Sequence, residues 1–130
     1  MSTVGDSLSF EMPCDRHAPL AVRKILARVH DGNWSLEDGL LVASELVTNA
    51  VRHSGCGDEH SLRVDIARRA GKLLIAVQDP GLSAKTAEPA SADRAEPGGW
   101  GLRIIDRLSA RWGSERPDGY RVWAELPADV

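Results

Sequence analysis

The chain has 130 residues, of which 42% are hydrophobic and 27% are charged, a balance typical of one globular domain, so we expect a single domain over residues 1–130. The formal net charge of −3 argues against nucleic acid or an anionic membrane as a partner, and no apolar run approaches the roughly 20 residues of a membrane helix. The N-terminus lacks the pattern of a secretory signal, and we therefore expect a cytoplasmic protein.

The two cysteines, Cys14 and Cys56, lie outside any CxxC pair or zinc-spaced cluster. The sequence leaves a disulfide open, although a cytosolic chain favours a reduced pair. Tryptophan is unusually frequent relative to Phe and Tyr. Three of the tryptophans lie beside apolar segments and are expected in the core: Trp34, Trp112 and Trp123.

The N-terminal part of the chain predicts a strand and then a helix. Apolar residues alternate with polar ones over 8–12, which predicts a short half-buried strand ended by Pro13. Pro19 suits the first turn of a helix, and apolar residues then recur at helical spacing as far as Val29. A Gly-Asn pair at 32–33 is expected to end this helix.

A second helix is predicted from Ser35 to about His53. Ser35 is a suitable N-cap, and acidic side chains follow in the first turn, where the helix dipole favours them. Gly55 and Gly57 follow the predicted end of the helix. One apolar stripe is expected to face the core: Leu36, Leu40, Ala43, Val47, Ala50 and Val51.

The second half of the chain predicts four strands and one helix around a long loop. The strands are expected at 62–66, 73–77, 110–115 and 120–126, with turns at 70–71 and 117–119. Residues 79–97 have no apolar period, and long loops of this kind often form lids or binding loops. Gly98 to Gly101 opens the helix. The order β-α-α-β-β-loop-α-β-β predicts a two-layer α/β sandwich with a mixed, mostly antiparallel sheet.

Four polar side chains are expected to form one ridge on the second helix, opposite its apolar stripe. Glu45 and Asn49 are four residues apart, and Arg52 and His53 follow one turn later on the same side. Each residue alone is also compatible with a plain solvated face. Asn is a mediocre helix former, so an Asn in mid-helix indicates that its side chain is used, for instance as an oxygen ligand to Mg²⁺.

Two further segments are candidate ligand contacts. Asp79 and Gly81 follow an apolar strand and could accept a hydrogen bond from a ligand amino group, although a plain Asp-Pro-Gly turn explains them equally. The glycines around Trp100 precede a helix, where free backbone N–H groups suit a phosphate. A flexible hinge is the alternative for that second cluster.

Taken together, the three segments resemble the motifs of the GHKL superfamily of histidine-kinase-like ATPases. The E-x-x-x-N box is Glu45 to Asn49, the D-x-G box begins at Asp79, and the G-x-G-L box is Gly99 to Leu102. Within the superfamily the chain looks most like the short anti-sigma factor serine/threonine kinases of actinobacteria. SELVTNAVRHS (44–54), GGWGLRIIDRLSARWG (98–113) and VWAELP (122–127) carry this likeness over nearly the whole chain.

The resemblance implies a role for each matching position. Asn49 would hold Mg²⁺ that bridges the phosphates of ATP, and Glu45 would be the general base toward the attacking hydroxyl. Asp79 would bind the adenine amino group, and Gly81 would give the base room. The other cofactor-binding positions implied by the boxes are Gly99, Trp100, Gly101 and Leu102. Arg52, His53 and Arg103 would be neighbours of the phosphates. Residues 82–97 would form the ATP lid.

The chain also departs from the family pattern at the lid. Ser83 replaces the second glycine of the D-x-G-x-G box, and Lys85 and Arg94 are the only cations in the lid segment. The last strand offers Arg121 and Val122 near the expected adenine position, where the family often has a hydroxyl residue. These departures favour ATP binding over turnover.

The resemblance implies a serine/threonine kinase that phosphorylates a small anti-sigma-antagonist (STAS-like) protein, sequesters a sigma factor and forms a homodimer. A regulatory module that binds ATP without turnover is the alternative. The catalytic half of a histidine kinase is disfavoured, because the chain has no room for a separate dimerisation helix pair.

Overall fold

The protein is described by a computed structural model over residues 2–4, 7–30, 32, 34–57, 59–69, 71–81, 100–116 and 118–127, with backbone alone at 2–4 and 100–102. The elements in chain order are β1 (Ser2–Val4), β2 (Ser7–Pro13), α1 (Ala18–Val29), α2 (Leu36–His53), β3 (Ser61–Arg69), β4 (Lys72–Asp79), α3 (Trp100–Leu108), β5 (Arg111–Glu115) and β6 (Tyr120–Leu126). The sequence predicted all of these elements except the short β1. The long loop expected over 79–97 lies mainly outside the described residues.

One six-stranded sheet forms the first layer, with strand order β1-β2-β3-β4-β6-β5. Every pairing among the described strands is antiparallel. The predicted two-layer α/β sandwich is confirmed, and the parallel component of the expected mixed sheet is not found in the described part of the chain.

The core lies between one face of the sheet and the helices. Strand alternation directs one set of side chains to this face, such as Leu62, Val64 and Ile66 of β3. Helix α2 contacts α1, α3, β4 and β6, so it is the central element of the helical layer. Among the described residues no helix is long and apolar enough to cross a membrane.

Trp34 closes the core between α1 and α2 and is 1% exposed. Its ring lies against Gly39 in the first part of α2, where a Cβ would collide with the ring. His30 contacts the same ring edge-on, with ring centroids 4.5 Å apart, and its Nε2 lies 2.8 Å from the Trp34 carbonyl oxygen. The prediction of a core position is confirmed for Trp34, and Trp112 packs against the core as a half-buried residue.

The core prediction for Trp123 is wrong. Along β6 the buried positions are 120, 122, 124 and 126, so Trp123 lies on the outer face of the sheet, away from the helices. There its half-buried ring covers Gly113 of the neighbouring strand, and Arg111 lies 5.8 Å from the ring centroid. Arg121 and Glu125, two residues either side of Trp123, share its face of the strand, and their polarity already favours the outer face.

The expectation of a reduced cysteine pair is also wrong in the structure. Cys14 and Cys56 form a disulfide, with a Cα–Cα distance of 6.2 Å, across a sequence separation of 42 residues. Cys14 follows the end of β2, and Cys56 follows the end of α2. Only the packing of α2 on the sheet brings the end of β2 close to the end of α2, so the spacing of the two cysteines in the sequence could not reveal the pair.

Candidate functional site

Helix α2 begins and ends where the sequence predicts. The Ser35 side chain accepts a hydrogen bond from the backbone N–H of Asp38 (3.3 Å), which satisfies one of the free donors of the first turn. Glu37 and Asp38 lie in that turn, and Arg52 and His53 lie in the last one, so both ends complement the helix dipole. The residues expected to bind a ligand therefore lie on a well-defined helix.

The buried face of α2 is wider than the predicted stripe and is rotated from it. Ala43, Val47 and Ala50 are buried as expected, whereas the other three predicted residues are only half-buried. The remaining buried apolar residues and glycine are Gly39, Val42 and Leu46. The rotation arises because α2 packs against α1, α3 and the sheet together, and a single amphipathic stripe describes only one such contact.

The polar residues predicted on α2 lie at the edge of this buried face and not opposite it as predicted, because the buried face is wider than the apolar stripe and rotated from it. Glu45, Asn49 and His53 are half-buried, and Arg52 is exposed. Glu45 and Asn49 are separated by one helical turn, with Asn49 nearer to the buried Val42 and Leu46 around the helix. The carboxylate and the carboxamide can therefore present oxygen atoms side by side at a partly desolvated surface.

Asp79 is a buried carboxylate at the end of β4, and only 4% of its surface is exposed. One of its oxygens, Oδ1, accepts a hydrogen bond from the backbone N–H of Gly81 (2.6 Å). Burial raises the pKa of Asp79 above its ordinary value of 3.8, while backbone hydrogen bonds from Gly81 and Tyr120 and the charge of Arg116 oppose that rise. Burying a carboxylate costs free energy of folding even when backbone donors hold it, so its presence indicates a functional role.

Two glycines form a backbone cradle around Asp79. Gly81 has a φ of 70°, and a Cβ at this position would lie 2.9 Å from the Cα of Gly119. Gly119 has a φ of 147°, and a Cβ there would collide with the carbonyl oxygen of Asp79. Neither glycine can therefore carry a side chain without moving the segment that holds the carboxylate.

Gly119 was missed as a site residue by the sequence analysis, which assigned it only to the turn before β6. The pairing of Asp79 with Tyr120 in the sheet brings the turn against the end of β4. The Pro-Asp-Gly sequence is that of an ordinary turn, and only the strand order shows that this turn lies against Asp79. No local signal could have found it.

The arrangement around Asp79 suits a flat ligand that offers an amino group. An ionised carboxylate accepts up to about four hydrogen bonds, so Asp79 keeps acceptor capacity beyond its two backbone donors. Gly81 is half-exposed, and the absence of a side chain there leaves room for a ring next to the backbone. The end of β4 thus fits the recognition of an amino-substituted heterocycle.

The third predicted segment is only partly described. Helix α3 begins at Trp100, so the backbones of Trp100, Gly101 and Leu102 form its first turn, and the prediction of a helix start here is confirmed. Gly98, Gly99 and the lid segment 82–97 lie outside the described residues. Arg103 is exposed on α3. Because α3 packs against α2, its first turn belongs to the same layer as the polar ridge.

Comparison with known proteins agrees with this geometry. A family model described as a histidine kinase-like ATPase domain matches residues 16–125. The match covers α2, the end of β4 and α3, and the chain belongs to this family. A search of curated protein sequences found no match.

Among solved structures, the chain is similar to the crystal structure of the RsbU and RsbW domains of Rv1364c from Mycobacterium tuberculosis. The superposition has a TM-score of 0.67 at 20% sequence identity and covers 94% of this chain. The aligned region amounts to 32% of the Rv1364c chain, so the present chain spans about a third of that structure's length. At this identity the likeness shows a shared fold.

Proposed function

We propose that the chain binds MgATP at this site and transfers the γ-phosphate to a serine or threonine hydroxyl of a small anti-sigma-antagonist protein of the STAS-like class. Membership of a family described as an ATPase domain implies ATP binding. The observation that carries the proposal is the buried Asp79 carboxylate in its glycine cradle, at the end of a strand that packs against α2, the helix that carries Glu45 and Asn49. The anti-sigma kinase type and its partners, the antagonist protein and a sigma factor, are what the sequence resemblance implies, and the fold shared with the structure of the RsbU and RsbW domains of Rv1364c is compatible with them.

Asp79 would recognise the adenine ring of ATP. Its remaining acceptor capacity would take a hydrogen bond from the exocyclic amino group, and a base that lacks this group would leave that part of the buried carboxylate unsatisfied. Gly81 would lie along the ring, and the backbone N–H groups of Gly99 and Gly101 would receive the phosphates together with Trp100 and Leu102. Arg52 and Arg103 would add positive charge near the phosphates, and His53 would be a further polar neighbour.

Asn49 would hold Mg²⁺ through its carboxamide oxygen. A half-buried oxygen on a rigid helix fits Mg²⁺, which prefers hard oxygen ligands and takes few of them from the protein. When it is bound, Mg²⁺ neutralises phosphate charge during phosphoryl transfer. Glu45, one turn away, would accept the proton of the attacking hydroxyl, directly or through water.

Nucleotide binding is tested by calorimetric titration of the full chain with ATP in the presence and absence of MgCl₂. We expect Mg²⁺-dependent binding that Asn49→Ala weakens at least tenfold, since one charge-assisted contact contributes about 1.5–3 kcal/mol. Thr48→Ala, at the adjacent half-buried position of α2, is the matched control and should bind like the wild type. Equal affinity in all three proteins would remove Asn49 from the proposed site.

Phosphoryl transfer is tested with radiolabelled ATP and the anti-sigma-antagonist proteins encoded in the same genome. We expect labelled phosphoserine or phosphothreonine on one of them. Glu45→Gln should retain MgATP binding and lose transfer by about 10²–10⁴-fold, because it keeps the shape of the side chain and removes the base. Transfer at the wild-type rate by Glu45→Gln would reject the assigned base.

A non-enzymatic regulator that binds ATP is the second candidate. It is favoured by Ser83, which replaces a glycine of the D-x-G-x-G box, and by the two lone cations of the lid segment. This candidate predicts MgATP binding in the titration without label on any antagonist protein. Complex formation that depends on ATP, detected by gel filtration, would then be the activity.

A further inference from the structure

We propose that Cys14 and Cys56 form a reversible disulfide through which a small-molecule disulfide, such as oxidised glutathione, controls the position of the α2 C-terminus. Within the described residues this is the one disulfide, and it adds a cross-link between the segment after α2 and the segment after β2. It closes a segment that contains both α1 and α2. The effect on the nucleotide site rests on the function proposed above.

Each cysteine is anchored to a different layer. The backbone N–H of Cys14 donates to the carbonyl oxygen of His60 (3.0 Å), so Cys14 extends the pairing of β2 with β3. Cys56 is tied to the end of α2 through Ser54, whose hydroxyl accepts a hydrogen bond from the backbone N–H of Cys56 (3.1 Å). The disulfide therefore joins the sheet to the last turn of the helix.

Ser54 connects the sulfur atoms to the helix that carries the polar ridge. Its backbone N–H donates to the carbonyl oxygen of Ala50 (3.0 Å), the residue after Asn49. A shift of Ser54 would be passed directly to this last turn. Opening the disulfide should thus loosen the turn that begins next to Asn49 and holds His53.

The same serine is placed to assist the exchange reaction. Ser54 is completely buried, its Oγ lies 2.7 Å from the Sγ of Cys56, and the Sγ of Cys14 is 3.9 Å away. In the reduced chain this hydroxyl can donate to a thiolate, and hydrogen-bond donors stabilise the charged form of a thiol. Cys56 is half-buried and Cys14 is 3% exposed, so an external reagent reaches Cys56 first.

Oxidation then proceeds in two exchange steps. The Cys56 thiolate attacks one sulfur of the oxidant and forms a mixed disulfide, and one small thiolate leaves. The Cys14 thiolate attacks the Sγ of Cys56 and expels the second small thiolate. The two protons lost by the cysteines reside on the two released thiols, and the two electrons have reduced the oxidant. A dithiol reverses the sequence.

The first experiment tests the disulfide in the full chain. The protein is equilibrated in glutathione buffers of increasing oxidised fraction, quenched with acid, alkylated with iodoacetamide and weighed by mass spectrometry. We expect a transition from two alkylated cysteines to none. Alkylation of both cysteines in the most oxidising buffer would overturn the proposal. Ser54→Ala should form the disulfide about fivefold more slowly, because the thiolate loses its donor; an unchanged rate would reject the role of Ser54.

The second experiment tests the coupling to α2. Hydrogen exchange at residues 50–54 and the dissociation constant of MgATP are measured in the oxidised and reduced chains. Reduction should accelerate exchange about tenfold and weaken MgATP binding about fivefold. In Cys56→Ser and Cys14→Ala, both quantities should equal those of the reduced wild type and should not change with the redox state of the buffer. Equal exchange in both redox states would overturn the coupling.

The two measurements separate this inference from the proposed function. If neither redox state binds MgATP, the proposed function fails, and hydrogen exchange alone decides whether the disulfide controls α2. If MgATP binds equally well to both redox states while hydrogen exchange differs, the disulfide affects the end of α2 but not Asn49. The coupling to the nucleotide site is then rejected.

Discussion

Asp79 shows how a single side chain depends on the backbone of two separate segments. Gly81 follows it directly, whereas Gly119 arrives from the turn before β6, and both approach too closely to carry a Cβ. The conformation of Gly119 adds a second constraint, since a φ of 147° disfavours any L-residue. The position of the carboxylate therefore depends on a close approach of the backbone that only glycine permits at these two positions.

Replacing Gly119 with alanine should damage both stability and the site. The methyl group would collide with the Asp79 carbonyl oxygen in a strained backbone conformation, and we expect a loss of about 2–4 kcal/mol in the free energy of unfolding. Urea denaturation measures this loss, and titration with MgATP measures the effect on binding.

Gly32→Ala is the matched control for that substitution. Gly32 also has a positive φ, 90°, but a Cβ there meets nothing within 4 Å. Its cost should be limited to backbone strain, roughly 1 kcal/mol, with unchanged MgATP affinity. If both substitutions changed the free energy of unfolding and the MgATP affinity equally, the collision with the Asp79 carbonyl oxygen would contribute nothing to the effect of Gly119→Ala.

The raised pKa of Asp79 makes a prediction about pH. The folded chain holds this proton more tightly than the unfolded chain, so the contribution of Asp79 to stability is complete below the unfolded value of 3.8. It is lost as the pH rises through the raised folded pKa and stays lost above it. Urea unfolding of the wild type and of Asp79→Asn across this range should show the wild type losing stability relative to the variant as the pH rises.

A stability difference between the wild type and Asp79→Asn that grows in favour of the wild type with rising pH would contradict this assignment. Such a result would mean that the backbone hydrogen bonds and Arg116 outweigh burial and hold the pKa of Asp79 below its ordinary value. The same titration therefore identifies which of the opposing causes dominates.

At the scale of elements, α2 is the part of the structure that the sequence predicts best. Its signals are local: a serine cap, acids in the first turn, and a glycine soon after the last turn. Features built by contacts between distant segments were not predictable in this way. The width of the buried face, the disulfide and the support of Asp79 by Gly119 each depend on how elements pack.

The packing of α1 on α2 can be tested at Gly39. Alanine would ordinarily favour a helix over glycine by about 1 kcal/mol, but here the methyl group meets the ring of Trp34. Overpacking should win, and we expect a net loss of about 1–2 kcal/mol in urea denaturation. In a chain with Trp34→Leu the same Gly39→Ala change should become neutral or stabilising. A penalty that persists beside leucine would show that the ring is not its cause.

At the scale of the whole molecule, the sandwich has a single described core on one side of its sheet, and the two sides should respond differently to the same substitution. Trp34 lies in the core and Trp123 lies on the outer face, where Arg111 and Gly113 are its neighbours. Adjacency to an apolar segment does not separate the two residues, because both stand next to one, whereas the polar residues two positions either side of Trp123 already indicate the outer face. The sheet register separates them.

Trp34→Ala should lower the free energy of unfolding by about 3–5 kcal/mol, because it leaves a cavity against α2. Trp123→Ala removes a half-buried ring that solvent can replace, and its cost should be about 1–2 kcal/mol. Urea denaturation of the two variants provides the comparison, with unchanged far-ultraviolet circular dichroism as the control for folding. Equal losses would mean that the outer face is covered as fully as the core, and the sheet would then have to bury both of its surfaces in solution.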